Sequence, residues 1–156
     1  MSDWLSPEQG ALLLTLVAAA EAGGQDEVPV GAVVCDALGR ILSAQGNDCV
    51  TRSDPVGHAE MRALGQAARR LRNYRLLGTR LFISLEACPL CREAVGLSRV
   101  SQMACAARRD PESAAQPESG FFQDQALESA SVALLHFFFA RKRADLKCDG
   151  KSVLIS

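Results

Sequence analysis

The sequence predicts an α/β fold, a three-layer α/β/α sandwich with helices on both faces of a central sheet of about four to five strands. Three observations carry this expectation. Segments with apolar residues at three- and four-residue steps alternate with short β-rich runs. The 156 residues suffice for one core and are 48% hydrophobic. No internal repeat or low-complexity segment divides them, so 1–156 is read as one domain.

Each element has its own signal. Ser6-Pro7-Glu8-Gln9 offers an N-cap, a proline at the first helical position and a glutamine three residues after the cap. A first helix is expected to run from there until Gly23-Gly24 stops it. Val28 to Cys35 is β-rich and reads as a strand, Asp36 to Gly39 as a hairpin loop, and Arg40 to Gly46 as the returning strand. Asn47 to Gly57 lacks periodicity and contains Asp54-Pro55, which marks a loop. Met61, Leu64, Ala68 and Leu71 space a second helix over His58 to Arg72. A third strand (Arg80 to Leu85), a short third helix (Pro89 to Leu97) and a fourth strand (Ser101 to Ala107) follow. Asp110 to Gly120 reads as a loop with no clear fifth strand after it, and Leu127 to about Lys147 as a long last helix.

Composition narrows the class of protein. The longest apolar stretch, Ala11 to Ala20, is too short to span a bilayer. No Lys or Arg precedes it, so it does not read as a secretory signal, and a cytoplasmic location without membrane attachment is expected. Charge is uneven although the net is −1. Residues 61–109 carry ten Arg against Glu86 and Glu93, and residues 141–151 hold five more bases. Such a basic middle and tail can hold a polyanion on one face, or can be a solvated helix surface.

Of six cysteines, only Cys88 and Cys91 are close together. The other four are expected to be small buried hydrophobes. Without an export signal, a close pair reads as metal or redox chemistry before it reads as a disulfide framework. Cys88 and Cys91 open the third helix, where both thiolates point to one side and the helix terminus favours the deprotonated form. His58-Ala59-Glu60 opens the second helix. His58, Cys88 and Cys91 together form an N/S set suited to zinc, and three protein ligands leave a fourth position open for water. Glu60 then needs only to reach that water to take its proton and pass it to a leaving amine. Other readings of the same residues are a redox pair, a structural zinc with a fourth ligand from Cys35, Cys49, Cys105 or His136, and Glu60 as a complement to the helix dipole.

The two halves match the His-x-Glu and Pro-Cys-x-x-Cys signature of zinc deaminases, with Ala87 in the proline's place. More widely, the chain resembles the bacterial tRNA adenosine deaminases, which make inosine at the anticodon wobble position. The resemblance rests on Glu27-Val28-Pro29-Val30-Gly31-Ala32-Val33-Val34, Asn47, Asp54-Pro55, Asn73-Tyr74-Arg75-Leu76, Ser84-Leu85-Glu86 and Ala107-Arg108. It resumes at Ala133-Leu134-Leu135 and the tail of Phe138, Phe139, Arg141, Lys142 and Arg143. It implies a zinc-binding homodimer with Glu60 as proton shuttle. Asn47 would bond the flipped-out nucleotide, and backbone near Gly31-Ala32 and Glu86-Ala87 would line the base pocket. Arg108 and the aromatic, basic tail would hold the RNA. The partner implied is a tRNA anticodon loop, not DNA.

The chain departs from the family pattern at Ala87, at Cys49 and Gly57, and at Arg109, which displaces the family's Arg-Asp pair. These departures spare the metal-binding residues and fall among those that recognise substrate. Deamination of a free base or nucleoside, of guanine or cytosine type, is therefore the alternative. A non-catalytic paralogue that keeps fold and zinc is a further one.

Overall fold

The computed structural model describes residues 5–109, 120–121 and 124–148. In chain order these form α1 (Pro7–Gly24), β1 (Gly31–Cys35), β2 (Ile41–Gly46), α2 (Ala59–Leu71), β3 (Arg80–Leu85), α3 (Pro89–Leu97), β4 (Gln102–Ala107), β5 (Gly120–Phe121) and α4 (Gln125–Cys148). The capping box at Ser6 is made in full, since its hydroxyl accepts from the Gln9 N–H while the Gln9 side chain accepts from the Ser6 N–H.

The strands form one mixed sheet in the order β2-β1-β3-β4-β5. β1 runs antiparallel to β2 and β3, whereas β3, β4 and β5 are parallel. Alternation along the strands separates two cores. Val33, Cys35, Phe82 and Ala106 pack with Ala11 and Leu12 of α1 and Leu127 of α4. Ala32, Val34, Leu81, Ile83, Met103 and Cys105 pack on the other face with Ala59, Ala63, Leu64 and Ala67 of α2 and Cys91 and Val95 of α3. The expected three layers are thus formed, with α1 and α4 on one side and α2 and α3 on the other.

Two paired glycines set how closely α1 sits on the sheet. Gly31 and Gly46 are partners across β1 and β2. A Cβ on Gly31 would lie 2.0 Å from the Thr15 carbonyl oxygen, and one on Gly46 would lie 2.6 Å from that of Ala18. Larger residues would push the helix away.

Element boundaries differ from expectation where local chemistry overrides periodicity. β1 starts at Gly31 rather than Val28, because Pro29 has no N–H and the Val30 N–H turns back to the Val28 carbonyl at 2.8 Å. His58 is the N-cap of α2, not its first turn. A fifth strand exists after all, parallel to β4, but its two residues are too few to show alternation in sequence. Most of the loop expected over 110–120 lies outside the described residues.

Candidate active site

His58 and Cys88 occupy equivalent positions. Each is the N-cap of its helix, with extended backbone (φ −66°, ψ 148° and φ −68°, ψ 166°), and neither side chain caps the helix it precedes. Both are thereby free to face a common point. Pro89 sets the first helical position of α3, and Cys91 lies in its first turn. His58 Nδ1 is 3.3 Å from Cys91 Sγ and 3.6 Å from Cys88 Sγ. The ligand atoms of all three residues lie within 4.8 Å of one another, and they are the one such His/Cys/Asp/Glu group among the described residues.

This donor set fits zinc. Zn–N of ~2.0 Å and Zn–S of ~2.3 Å at a tetrahedral angle place N and S roughly 3.5 Å apart, matching both separations. The electrostatics agree. Burial pushes the Cys91 thiol far above its ordinary range, and Glu60 and Cys88 beside it push further. Two sulfurs and a carboxyl crowded into a buried spot are what a cation relieves.

Glu60 lies in the first turn of α2 and is 3% exposed. Burial is the largest influence on its carboxyl and raises its pKa, against a helix-terminal backbone N–H, His58 and the Cys91 thiol, which lower it. A buried carboxyl with a raised pKa beside the ligand group suits a proton carrier. Among the described residues no fourth ligand joins the trio. Cys35 and Cys105 are buried in the sheet, Cys49 is half-exposed in the loop after β2, and His136 is exposed on α4. Cys49 thus departs from the expectation of a buried hydrophobe, because its loop runs over the surface.

The residues expected around the substrate divide in two. Asn47 stands at the site but faces α2, its Oδ1 accepting the Ala59 N–H at 2.8 Å. Ala32 and Ala87 are buried in the core beneath α2 and α3. Gly31 is packed under α1, and its N–H donates to Ser84 Oγ at 3.0 Å. Glu86 is buried, its N–H bonded to the Ala107 carbonyl at 2.8 Å, which holds the turn into α3 although Ala87 replaces the signature proline. The tail is more structural than expected. Phe138 is 5% exposed and packs edge-on against Phe139. Arg141 and Lys142 pair with Asp26, and Arg141 also donates to the Gly23 carbonyl at 3.2 Å. Arg143 is exposed, Arg108 is half-buried after β4, and the most exposed aromatic of the tail is Phe137.

Two residues noted in the sequence, Glu27 and Arg109, have supporting roles that it did not indicate. Glu27, 1% exposed, accepts the N–H groups of Val50 at 3.1 Å and Thr51 at 2.5 Å, and so fixes the loop that follows Asn47. Arg109 donates from its backbone to Glu86 Oε2 and from its guanidinium to the Glu86 carbonyl, both at 3.3 Å. Each bond joins segments more than 20 residues apart, which no local pattern encodes.

Comparison with known proteins agrees with this geometry. The family model for the cytidine and deoxycytidylate deaminase zinc-binding region matches residues 6–107. The tRNA-specific adenosine deaminase of Haemophilus influenzae is 35% identical over 147 residues, covering 87% of this chain and 84% of that one. A solved tRNA:A34 deaminase superposes with a TM-score of 0.71 at 32% identity, over 81% of this chain and 99% of its own. The guanine deaminase of Bacillus subtilis superposes with a TM-score of 0.62 at 29% identity, over 69% and 66%. This chain belongs to the cytidine and deoxycytidylate deaminase zinc-binding family, among its tRNA-specific adenosine deaminases.

Proposed function

We propose that this protein is a zinc-dependent hydrolytic deaminase that converts adenosine to inosine at the wobble position of a tRNA anticodon. The observation that carries the reading is the convergence of His58, Cys88 and Cys91 with the buried Glu60 against Cys91. His58, Cys88 and Cys91 hold the metal. When bound, zinc supplies the Lewis acidity that makes water a nucleophile near neutral pH. Glu60 takes the proton released as the C6–O bond forms. It then delivers that proton to the amine as the C6–N bond breaks, giving inosine and ammonia. The identity to the Haemophilus influenzae relative and the likeness to the solved tRNA:A34 deaminase support RNA as the substrate. The proposal includes a cytoplasmic homodimer. Exposed Leu71, Tyr74, Leu77 and Leu97 support a second copy, since the Leu76 N–H bonds the Ser98 carbonyl at 2.7 Å and brings their segments together.

The test is inosine formation in a synthetic anticodon stem-loop with adenosine at the wobble position. Zinc-loaded protein converts it, while Glu60→Ala retains zinc and loses conversion. A free-base deaminase is the second reading, favoured by the likeness to the guanine deaminase. Turnover of guanine with an untouched stem-loop would establish that reading instead. Full zinc without turnover of either would mark a non-catalytic paralogue.

A further inference from the structure

α2 has an outer face on the side of β2, away from α3. There Gln45 of β2, Arg52 of the following loop, and Arg62, Gln66 and Arg69 of α2 line a cleft of about 360 Å³. Three guanidiniums and two carboxamides face one nearby carboxylate. Asp48, 8% exposed, pairs with Arg52 and with Arg62, the latter at 3.4 Å. Arg62 also donates to the Gly46 carbonyl. Gln45 donates to Gln66 Oε1 at 2.9 Å, closing one wall of the cleft. No carboxylate pairs with Arg69 among the described residues. The cleft therefore holds two guanidiniums oriented by a shared carboxylate, a third with none, and a net charge of about +2. Its amides accept and donate without adding charge. This is the chemistry that recognises phosphate oxygens, with Met61 as the one large apolar side chain in the lining.

Its position says which phosphates. Arg62 follows Glu60 by two residues, and Arg69 lies about 13 Å further along the helix axis than Glu60. Arg62 and Arg69 stand about half a turn round α2 from Glu60, and the loop after Asn47 that carries Asp48 and Arg52 leads into His58, so a strand with its base at Glu60 reaches the cleft by crossing the start of α2.

We propose that the Arg52–Arg62–Arg69 cleft is a phosphodiester-binding site that holds the backbone of the RNA flanking the reacting nucleotide. The proposal rests on the RNA reading above, and its test separates the two. A fluorescently labelled anticodon stem-loop is titrated with zinc-loaded protein at several salt concentrations. Arg52→Gln/Arg69→Gln should weaken binding about tenfold at low salt, raise KM, and lower the slope of log K against log salt by about 1.5. Arg52→Lys/Arg69→Lys, which keeps the charges, should restore the slope, and zinc content reports that each variant is folded. Arg62 is spared because it also holds Asp48 and Gly46. Arg40→Gln, the loss of one guanidinium on the exposed β1–β2 hairpin, should leave affinity and slope unchanged. An unchanged affinity and slope in the glutamine double variant overturns the cleft while leaving the substrate reading intact. Wild-type protein that binds the stem-loop through these arginines without deaminating it supports the cleft and overturns the substrate. Wild-type protein that does not bind it overturns both.

Discussion

Asn47 Oδ1 accepts the N–H of Ala59 at 2.8 Å, so the first turn of α2 is capped from a loop twelve residues earlier. This bond satisfies the N–H of the first helical residue, while the side chain of the N-cap His58 makes no capping bond. His58 can then turn its imidazole to Cys88 and Cys91 instead of to its own helix. Asn47 thus orients a metal ligand through the backbone.

Asn47→Ala should lower stability by about 1 kcal/mol and weaken zinc affinity by about tenfold. Asn47→Asp keeps the accepting oxygen and should retain both, measured by urea unfolding and zinc competition. It loses the two amide N–H donors, so a rise in KM for the stem-loop without loss of zinc would assign those donors to the nucleotide. An alanine variant with unaltered unfolding would remove the capping role.

Glu27 supports the same loop from below. Burial raises its pKa, but N–H donors at Thr51, Val50 and Cys49 outweigh burial and hold it below the ordinary 4.5. A carboxyl with a depressed folded pKa stabilises the fold above its unfolded value. That contribution is lost as pH falls through the folded value. Glu27→Gln should therefore cost about 1–3 kcal/mol at neutral pH. The gap to wild type should narrow below about pH 4, the window set by the downward shift. Urea midpoints of both proteins across pH test this, and a gap that widens in acid contradicts it.

The order of elements and the chemistry of the site were both legible because both are local. Arg80–Leu85 and Pro89–Leu97 are bounded by their own turn and proline signals, and they fold over the residues expected. His58, Cys88 and Cys91 sit at helix starts, where short spacing determines direction. The tail was less legible. Phe137, Phe138 and Phe139 point three ways on one helix, and only packing against α1 decides which is inside. Arg141 and Lys142 meet Asp26 across more than 110 residues, so a run of bases that reads as an RNA surface is partly a brace. Glu27 and Arg109 hold segments more than 20 residues away, a role that local spacing does not encode.

Cys88→Ser should release zinc and lower Tm, because the metal ties the start of α3 to the start of α2. Chelator should lower the Tm of wild-type protein and leave that of the variant unmoved. Thiols must lose protons to bind, so apparent zinc affinity should fall as pH drops, the more so for a thiol raised as Cys91 is. A variant with a full equivalent of zinc would move the metal elsewhere.

Phe138 and its neighbour Phe137 should separate packing from recognition. Phe138 is buried, and Phe138→Ala should cost about 3–5 kcal/mol in urea unfolding. Phe137 is 70% exposed and lines an apolar hollow of about 210 Å³ with Pro29 and Leu134. Phe137→Ala should shift stability by no more than about 0.5 kcal/mol. If a base stacks on the tail, that variant should weaken stem-loop binding by a factor equivalent to about 1–3 kcal/mol, roughly five- to 150-fold. Equal affinity in Phe137→Ala would confine the tail to bracing α4 against α1, and the arginines of α2 would then carry the affinity for RNA.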